Sequence, residues 1–438
     1  MARIAIVGSG IAGLTTAWHL HREHDITLFE ANDYVGGHTA TVDVDYGEKT
    51  YAIDTGFIVF NDWTYPNFIA LLQEIGASWQ WSNMSFSLRC ERSGLEYNGT
   101  SLNSLFAQRS NLLNPRFLRM LIDILRFNTR CRSLLADTSA IDLTLGDYLH
   151  AGGYSAAFIE QYIVPMGRAI WSATGSGMLD FPARFFVDFF ERHGFLNIND
   201  RPVWRTISGG SREYARKLIA HFPDRIRLQS PVRRVTRLAD GSIRLCSEQH
   251  GRQLEENFDR VFFACHSDQA LAMLEDANAL ERDVLSAFPY QQNNATLHTD
   301  ERILPRAPLA RAAWNYHLLN PDTERVALTY DMNVLQSIEA PVRFLVTLNR
   351  EADIDPAMIL GRYSYHHPVY TPQAVRAQAR RREISHGNTF FCGAYWRYGF
   401  HEDGVVSALW ALADHARDHQ LAPLPPPLLS PAQRGLRA

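Results

Sequence analysis

A glycine-rich segment directly after the first strand-like run constrains the fold more than any other feature of the sequence. The apolar run 3–7 leads into the segment 8–13, which carries the glycines, and a helix-like run follows at 14–20. A second strand-like run, 25–29, ends on Glu30. The glycine spacing alone is a weak signal. The full order of strand, glycines, helix, strand and an acid about 20 residues on is what a dinucleotide-binding unit requires.

Each glycine of this segment has a physical reason. Gly8 allows the tight turn, Gly10 lets the backbone approach a pyrophosphate, and Gly13 lets the helix pack closely on the strand. The helix N-terminus then faces the anion. Glu30 is expected to accept hydrogen bonds from an adenosine ribose. An ordinary glycine-rich turn is the alternative interpretation of the same residues.

Composition and charge exclude several classes of protein. A chain of 438 residues can bury the core of one large or two interleaved domains. A net charge of -4 and the absence of an aromatic-basic stripe argue against nucleic-acid binding. Five scattered cysteines show neither disulfide spacing nor a metal motif, and no apolar run is long enough to span a membrane. With no signal peptide ahead of the first strand, we expect a cytoplasmic protein, and we leave open peripheral contact with the inner face of the membrane.

A second pair of glycines, Gly36 and Gly37, follows Glu30 within the segment 31–39. This pair resembles the extension that the flavin amine oxidase superfamily places just after its dinucleotide fingerprint. That superfamily includes protoporphyrinogen oxidases and phytoene desaturases, and plain NAD dehydrogenases lack the extension. The resemblance implies that the cofactor is FAD, bound noncovalently, with its diphosphate and ribityl chain near the glycine pair.

The resemblance extends over the chain up to a proline-rich tail, and it implies an α/β fold of amine-oxidase type. A discontinuous, Rossmann-like FAD-binding domain would be interrupted by a substrate domain built from a mixed sheet and helices. The expected division in chain order is 1–64 (FAD-binding domain, first part), 65–200 (helical insert of the substrate domain), 201–287 (FAD-binding domain, second part), 288–384 (sheet of the substrate domain), 385–421 (FAD-binding domain, third part) and 422–438 (disordered tail).

Candidate FAD-binding residues come from all three parts of the first domain. Gly56 is expected to bring its backbone towards the flavin, although a turn at a strand end is an equal alternative. A helix N-terminus near Gly404 would direct its positive dipole end at the flavin pyrimidine. The full set is Gly8, Gly10, Ile11, Ala12, Gly13, Glu30, Ala31, Gly36, Gly37, His38, Thr39, Gly56, Phe57, Val232, Ala264, Gly393, Gly404 and Val405.

Three segments, 54–61, 297–300 and 399–404, look like one bacterial subgroup of the superfamily, which is often encoded beside cyclopropane-fatty-acyl-phospholipid synthases. Some wider relatives desaturate or isomerise fatty acyl chains. The resemblance therefore implies an oxidoreductase acting on a long apolar chain, such as a fatty acyl group in a phospholipid. The alternatives are a polyene or porphyrinogen oxidase and an amine oxidase. In another class, the chain would be a non-catalytic flavin-bearing partner of a lipid-modifying synthase.

The scarcity of lysine bears on these alternatives. Amine oxidases of the family usually place a lysine in the substrate-domain sheet, where it holds a water near the flavin N5. This chain has only Lys49 and Lys217, which counts against amine oxidation. The stretch 363–372 has no cysteine for a cysteinyl flavin, whereas His366 and His367 leave a histidyl link open.

Removal of a proton from an acyl chain requires a nearby base. His298 is the first candidate because it falls where the family's lysine would lie, and an imidazole titrates near neutral pH. His401, in the flavin-facing turn, is the second candidate, and His366 is a weaker third. A hydrogen-bonded structural role is the alternative for His298.

Neighbouring polar residues are assigned supporting roles. Glu402 and Asp403 are expected to cap the final helix, and His38 to support the diphosphate loop. The segment 116–132 predicts an apolar helix edged with arginine, which is either a core helix or a helix lying on an anionic membrane. The aromatic stretch 180–190 is typical of a core and would also suit the wall of an acyl or polyene tunnel.

Overall fold

The computed structural model describes residues 1–137, 142–321 and 324–429, which form strands and helices in an α/β arrangement. The strands in chain order are β1 Arg3–Val7, β2 Asp25–Phe29, β3 Thr41–Tyr46, β4 Lys49–Asp54, β5 Phe60–Asn61, β6 Trp79–Trp81, β7 Phe86–Cys90, β8 Glu96–Asn98, β9 Trp204–Ile207, β10 Ile226–Arg227, β11 Val232–Arg237, β12 Ile243–Gln249, β13 Arg252–Phe258, β14 Arg260–Phe263, β15 Tyr290–His298, β16 Trp314–Leu318, β17 Leu328–Asp331, β18 Leu345–Leu348, β19 Ile359–Pro368 and β20 Thr389–Phe391. The α-helices in chain order are α1 Ile11–Leu20, α2 Pro66–Glu74, α3 Leu102–Leu105, α4 Pro115–Arg130, α5 Ser133–Ala136, α6 Leu145–Ala151, α7 Ala156–Phe158, α8 Val164–Trp171, α9 Gly175–Leu179, α10 Ala183–Arg192, α11 Arg212–Ile219, α12 Ser267–Met273, α13 Ala279–Ser286, α14 Met332–Leu335, α15 Pro372–Gln378, α16 Arg381–Ile384 and α17 His401–Asp418.

A five-stranded parallel sheet, in the order β10-β2-β1-β14-β20, lies under the glycine-rich loop. Its central strand β1 is covered on both faces, which is why Ile4, Ala5 and Ile6 have no exposed surface and why the strand reads as a continuous apolar run. The five strands come from separated parts of the chain, because helices and a second sheet are inserted between them. A discontinuous nucleotide-type domain beside a mixed sheet is the predicted fold class, which is confirmed.

The second large sheet has seven strands in the order β19-β15-β18-β17-β16-β7-β8. Adjacent strands in this sheet are antiparallel except β16 and β7, which run parallel to each other. Leu297, Leu328 and Val346 on one face pack into the largest hydrophobic cluster, together with the helices of the 65–200 stretch. That stretch is mainly helical, and it also contributes β7 and β8 to the sheet, which its helical pattern did not predict.

Two hairpins have a glycine in their turns. β3 pairs with β4 around Gly47, and β11 pairs with β12 around Gly241. Both glycines have positive φ angles, +65° and +86°, which side chains disfavour and turns of this kind require.

The predicted arginine-edged helix is α4, which begins after the N-cap Asn114, whose side chain accepts from two backbone N–H groups, and has Pro115 in its first turn. Within the ranges 1–137, 142–321 and 324–429, no helix is long and apolar enough to cross a membrane.

The tail beyond α17 contacts the rest of the chain, with Leu424 packed on the hydrophobic cluster around α1 and Leu428 paired with Asn67. The Leu428 N–H donates to Asn67 Oδ1 at 2.7 Å, and Asn67 Nδ2 donates to the Leu428 carbonyl at 3.0 Å. This pairing was not predicted for a tail expected to be disordered, because a proline-rich composition does not show where a backbone group will find a partner. Residues 430–438 lie outside the described part of the chain.

We predict that Gly13→Ala destabilises the fold, because a Cβ atom at Gly13 would lie 1.9 Å from the Gly8 carbonyl oxygen. Overpacking of this kind typically costs about 1–3 kcal/mol in the free energy of unfolding. Gly99→Ala is the matched control, since its Cβ would meet no atom within 4 Å. Urea unfolding of both variants measures the difference, and equal midpoints would contradict the close approach of α1 to the loop.

Candidate functional site

The N-terminus of α1 is arranged to receive an anion. Gly8 has a φ of +103°, and a Cβ there would lie 3.0 Å from the Ala264 carbonyl oxygen. Gly10 is the N-cap of α1 and has no side chain to bond the first helical N–H groups. A Cβ atom on Gly10 would meet no atom within 4 Å. Uncapped N–H groups together with the helix dipole favour a phosphate at this position.

Glu30 lies at the end of β2, beside this loop, and is buried. Its Oε2 accepts from the Ser9 N–H at 3.0 Å, and its Oε1 accepts from the Asn32 N–H at 2.9 Å. These bonds fix the carboxylate, and a carboxylate oxygen can accept more than one hydrogen bond. Glu30 therefore keeps acceptor capacity for the hydroxyl groups of a ribose.

The second glycine pair packs directly on the first loop. The Gly36 N–H donates to Ser9 Oγ at 3.2 Å, and a Cβ on Gly37 would lie 3.3 Å from the Gly10 Cα. Both glycines have positive φ angles, +131° and +59°. The two glycine segments thus form one continuous backbone surface at the end of the parallel sheet.

His38 is half-buried beside this surface. Its carbonyl accepts from the Phe57 N–H at 2.7 Å, and a Cβ on Gly56 would lie 2.2 Å from the same oxygen. Gly56 is therefore needed for its approach to His38, a reason that the sequence did not indicate. Burial lowers the pKa of His38 to about 4, with the nearby imidazoles of His266 and His366 acting in the same direction. Its Nε2 is buried without a hydrogen-bond partner in the described residues.

His401, the first residue of α17, meets residues from three distant parts of the chain. Its Nε2 lies 3.1 Å from Thr39 Oγ1 and 3.0 Å from the Tyr214 hydroxyl. Its ring stacks on Phe57 with centroids 3.5 Å apart and planes 13° from parallel. Burial lowers the pKa of His401 well below its ordinary value, so the ring is neutral at pH 7. Sequence reasoning missed Tyr214, because an amphipathic helix such as α11 does not show which buried residue carries a functional hydroxyl.

The two acids after His401 cap different helices. Asp403 accepts from the Phe400 N–H at 2.9 Å and caps α17, as predicted. Glu402 instead accepts from the Phe68 N–H at 2.8 Å and the Asn67 N–H at 3.2 Å, at the start of α2. The prediction that Glu402 caps α17 is wrong, because the N-cap of α2, Tyr65, offers no capping side chain. Burial raises the pKa of Glu402 to about 7.

His298 does not lie with His401. Its Nε2 is 2.7 Å from Thr347 Oγ1, and its Nδ1 accepts from the Asp300 N–H at 3.1 Å. Thr347 pairs across the sheet with Thr296 and Thr329, so His298 is on the face opposite to the one that packs on the helices. Both ring nitrogens are engaged there, and burial lowers the pKa of His298 to about 4. These contacts favour the structural alternative for His298, and its role as a base stays a prediction.

The remaining candidates surround the glycine loop or extend from it. A Cβ on Gly404 would lie 2.6 Å from Ile11 Cγ2, and the Gly393 N–H donates to Ser407 Oγ at 2.9 Å, which ties α17 to the ends of α1 and β20. Ala12 and Val405 are buried in the same hydrophobic cluster as Ile11. Ala31, directly after Glu30, is exposed. The Glu30 carbonyl accepts from the Ser230 N–H, two residues before Val232 at the start of β11. His366, on β19, is exposed.

Comparison with known proteins identifies the family. The sequence profile described as flavin containing amine oxidoreductase matches residues 11–308, and the chain belongs to this family. It is accordingly an FAD-dependent oxidoreductase, and the cofactor predicted from the glycine segments is confirmed. A sequence comparison with curated proteins finds no match.

Solved structures share the fold at low sequence identity. Cyclohexylamine oxidase from Brevibacterium oxydans IH-35A has a TM-score of 0.68 at 15% identity over 96% of this chain and 99% of its own. The CLA-producing fatty acid isomerase from P. acnes has a TM-score of 0.65 at 17% identity over 94% and 97%. A putrescine oxidase bound to putrescine has a TM-score of 0.66 at 15% identity over 95% and 99%. At these identities the likeness shows the fold alone.

The described residues fit FAD. The uncapped α1 N-terminus and the backbone at Gly10 suit the diphosphate, and Glu30 suits the ribose. The unpartnered Nε2 of His38 offers a neutral donor or acceptor beside them. The N-terminus of α17 at His401 would face the electron-rich end of the flavin.

We predict that Gly10→Val abolishes flavin binding and leaves the fold intact, because the added side chain enters open space that the diphosphate needs. Gly99→Val is the control, since a Cβ there also meets no atom. The ratio of visible to ultraviolet absorbance after purification gives the flavin content, and urea unfolding reports the fold. A fully yellow Gly10→Val protein would contradict the site.

We also predict that stability falls with acid. Burial lowers the pKa of six histidines to about 4 or about 3, namely His38, His193, His266, His298, His367 and His415. Their pKa in the unfolded chain is about 6.5. The unfolded state therefore binds more protons between these values, and stability is lost as the pH falls through this window.

Two buried carboxyl groups act against this trend. Burial raises the pKa of Glu402 to about 7 and that of Asp54 to about 6, so each stabilises the fold more as the pH falls. The histidines outnumber them, and Glu402→Gln should steepen the acid loss. Urea unfolding at about pH 7 and about pH 5 tests this balance, and a midpoint that rises towards the lower pH would contradict it.

Proposed function

We propose that this FAD-dependent oxidoreductase acts on a long apolar chain and desaturates or isomerises a fatty acyl group, including one esterified in a phospholipid. The observation that carries the proposal is an aromatic layer that reaches the N-terminus of α17. Phe189 stacks on Phe400 with centroids 5.2 Å apart, and Phe185 lies 4.7 Å from the Tyr398 ring. Phe400 directly precedes His401, so the apolar layer ends at the candidate flavin-facing turn.

The layer continues away from that turn into the helical part of the substrate domain. Trp171 lies 4.7 Å from both the Phe181 and the Phe189 rings, and Phe185 stacks on Tyr370 at 5.2 Å. Asp188, the acid on this part of α10, is engaged by Arg192 and by the Tyr398 hydroxyl. The aromatic rings, together with an acid that is already paired, disfavour a charged substrate and suit a hydrocarbon chain.

The sheet of the substrate domain supports the same choice. Neither lysine of the chain lies in it, because Lys49 is in β4 and Lys217 is in α11. Leu297, Val346 and Tyr365 line the face that packs on the helices. The lysine that the family's amine oxidases usually place in this sheet has no counterpart here, which favours an apolar substrate over an amine. The fatty acid isomerase with this fold provides a precedent for the substrate class.

FAD supplies the two-electron chemistry when it is bound. The chain must orient the acyl group, exclude water and accept or relay a proton. We assign the proton step to His401 because it lies at the turn where the aromatic layer ends and is held through Nε2 by Thr39 and Tyr214. Desaturation would release one hydride and one proton from adjacent carbons, whereas isomerisation would return both to the chain.

Anaerobic bleaching of the flavin tests the substrate class. The donors would be a phospholipid with unsaturated or methyl-branched chains, a carotenoid precursor and a primary amine. Bleaching by the phospholipid alone supports acyl oxidation, bleaching by the carotenoid precursor supports the polyene alternative, and bleaching by the amine overturns the proposal. If a yellow protein bleaches with none of them, movement of a double bond without net reduction becomes the test. An unaltered lipid together with a stable complex with a lipid-modifying synthase would favour the accessory role.

We predict that His401→Gln slows substrate-dependent flavin reduction by about 100-fold or more, the usual range for loss of a proton-transfer group. His298→Gln is the matched control, because His298 is also a buried imidazole with a lowered pKa. Stopped-flow absorbance on protein with full flavin content separates the two variants. Equal slowing in the His298 variant would contradict the assignment of the base to His401 rather than to His298.

A further inference from the structure

The outer face of α4 carries apolar side chains that the rest of the described chain leaves exposed. Leu118, Ile122 and Leu125 follow one another at helical spacing, and Ile122 and Leu125 are 59% and 53% exposed. The opposite face of α4 is a conventional core face, with Phe117 and Phe127 buried. α4 is therefore apolar on two sides, although only one side is covered.

The exposed surface continues beyond both ends of this row. Leu112 and Leu113 lie just before the N-cap Asn114 and are exposed, Leu113 by 89%. At the other end, Ile198 is 65% exposed, and it lines with Leu125 an open cleft of about 440 Å³. We call the six side chains Leu112, Leu113, Leu118, Ile122, Leu125 and Ile198 the outer α4 patch.

The segment 99–136, which carries five of the six patch side chains, is strongly positive, whereas Asp200 lines the cleft beside Ile198. Residues 99–136 contain six arginines and a single acid, Asp123. Asp123 is buried and is held by Arg119 and Arg126, each at 3.2 Å. Arg116 and Arg130 are exposed and make no ion pair within the described ranges. Because the whole chain has a net charge of -4, the rest of the molecule is negative, and an anionic surface would attract this side and repel the others.

We propose that the outer α4 patch docks on the surface of a bilayer that contains anionic phospholipid. The apolar side chains would enter the boundary between headgroups and acyl chains, as those of an interfacial amphipathic helix do. Arg116 and Arg130 would bind lipid phosphates, for which a guanidinium is well suited. The apolar row together with the exposed, unpaired Arg116 and Arg130 favours a membrane over a second copy of this chain, because the identical patch on that copy would repel it. Docking through this surface does not depend on which substrate the flavin oxidises.

The test is co-sedimentation of the flavin-loaded protein with vesicles of phosphatidylcholine, with or without phosphatidylglycerol. We expect binding to the anionic vesicles and much weaker binding to the neutral ones. Arg116→Glu/Arg130→Glu should weaken binding to anionic vesicles about tenfold or more, because each cation near such a surface contributes substantially. Ile122→Ser/Leu125→Ser should weaken it by a similar factor through the loss of apolar insertion.

Matched controls separate the patch from general charge and hydrophobicity. Arg252→Glu/Arg282→Glu makes the same change of charge at exposed arginines elsewhere, and Leu254→Ser/Leu360→Ser removes exposed leucines from strands. Flavin content and the unfolding midpoint check that every variant is folded. Equal binding to both kinds of vesicle, or full binding by both α4 variants, would overturn the proposal. Light scattering that shows a dimer of the unaltered protein, with both α4 variants monomeric, would also overturn the proposal.

Discussion

The close approach of α1 to the loop that follows β1 is the constraint on which the rest of the structure depends. The Gly13 Cα lies so near the Gly8 carbonyl that no side chain fits between them. This contact sets the direction of α1 and leaves its first N–H groups at the end of the parallel sheet, where a phosphate would be favoured. The second glycine pair then packs on Gly10 and extends the same backbone surface.

The N-terminus of α17 joins that surface to the substrate domain. His401 contacts Thr39 and Tyr214 on one side, while its neighbour Phe400 stacks on Phe189 of α10. Glu402 caps α2, and Asp403 caps α17 itself. The four consecutive residues 400–403 therefore connect the nucleotide-binding part, α2 and the aromatic layer. A substrate lying along that layer would end where the cofactor is expected.

The sequence predicted the parts of this arrangement that depend on local chemistry. The βαβ unit and the cap by Asp403 follow from residue types at fixed spacings, and both are present. The positions of His298 and Glu402 depend instead on which face of a strand or helix is covered by distant residues. A one-residue change in strand phase moves a side chain to the opposite face, and only the paired register shows that His298 shares its face with Thr347. Tyr214 could not be predicted for the same reason, whereas the aromatic stretch 180–190, which supplies Phe181, Phe185 and Phe189 of the layer, was apparent in the sequence.

We propose that the flavin acts on an acyl chain. The most direct measurement is mass spectrometry of the acyl chains after a single anaerobic turnover with phospholipid vesicles, with flavin absorbance followed in the same sample. We expect either a chain that has lost two hydrogens with bleached flavin, or a chain of unchanged mass with a displaced double bond and oxidised flavin. Unaltered acyl chains, in a protein whose flavin is bleached by an amine, would contradict it.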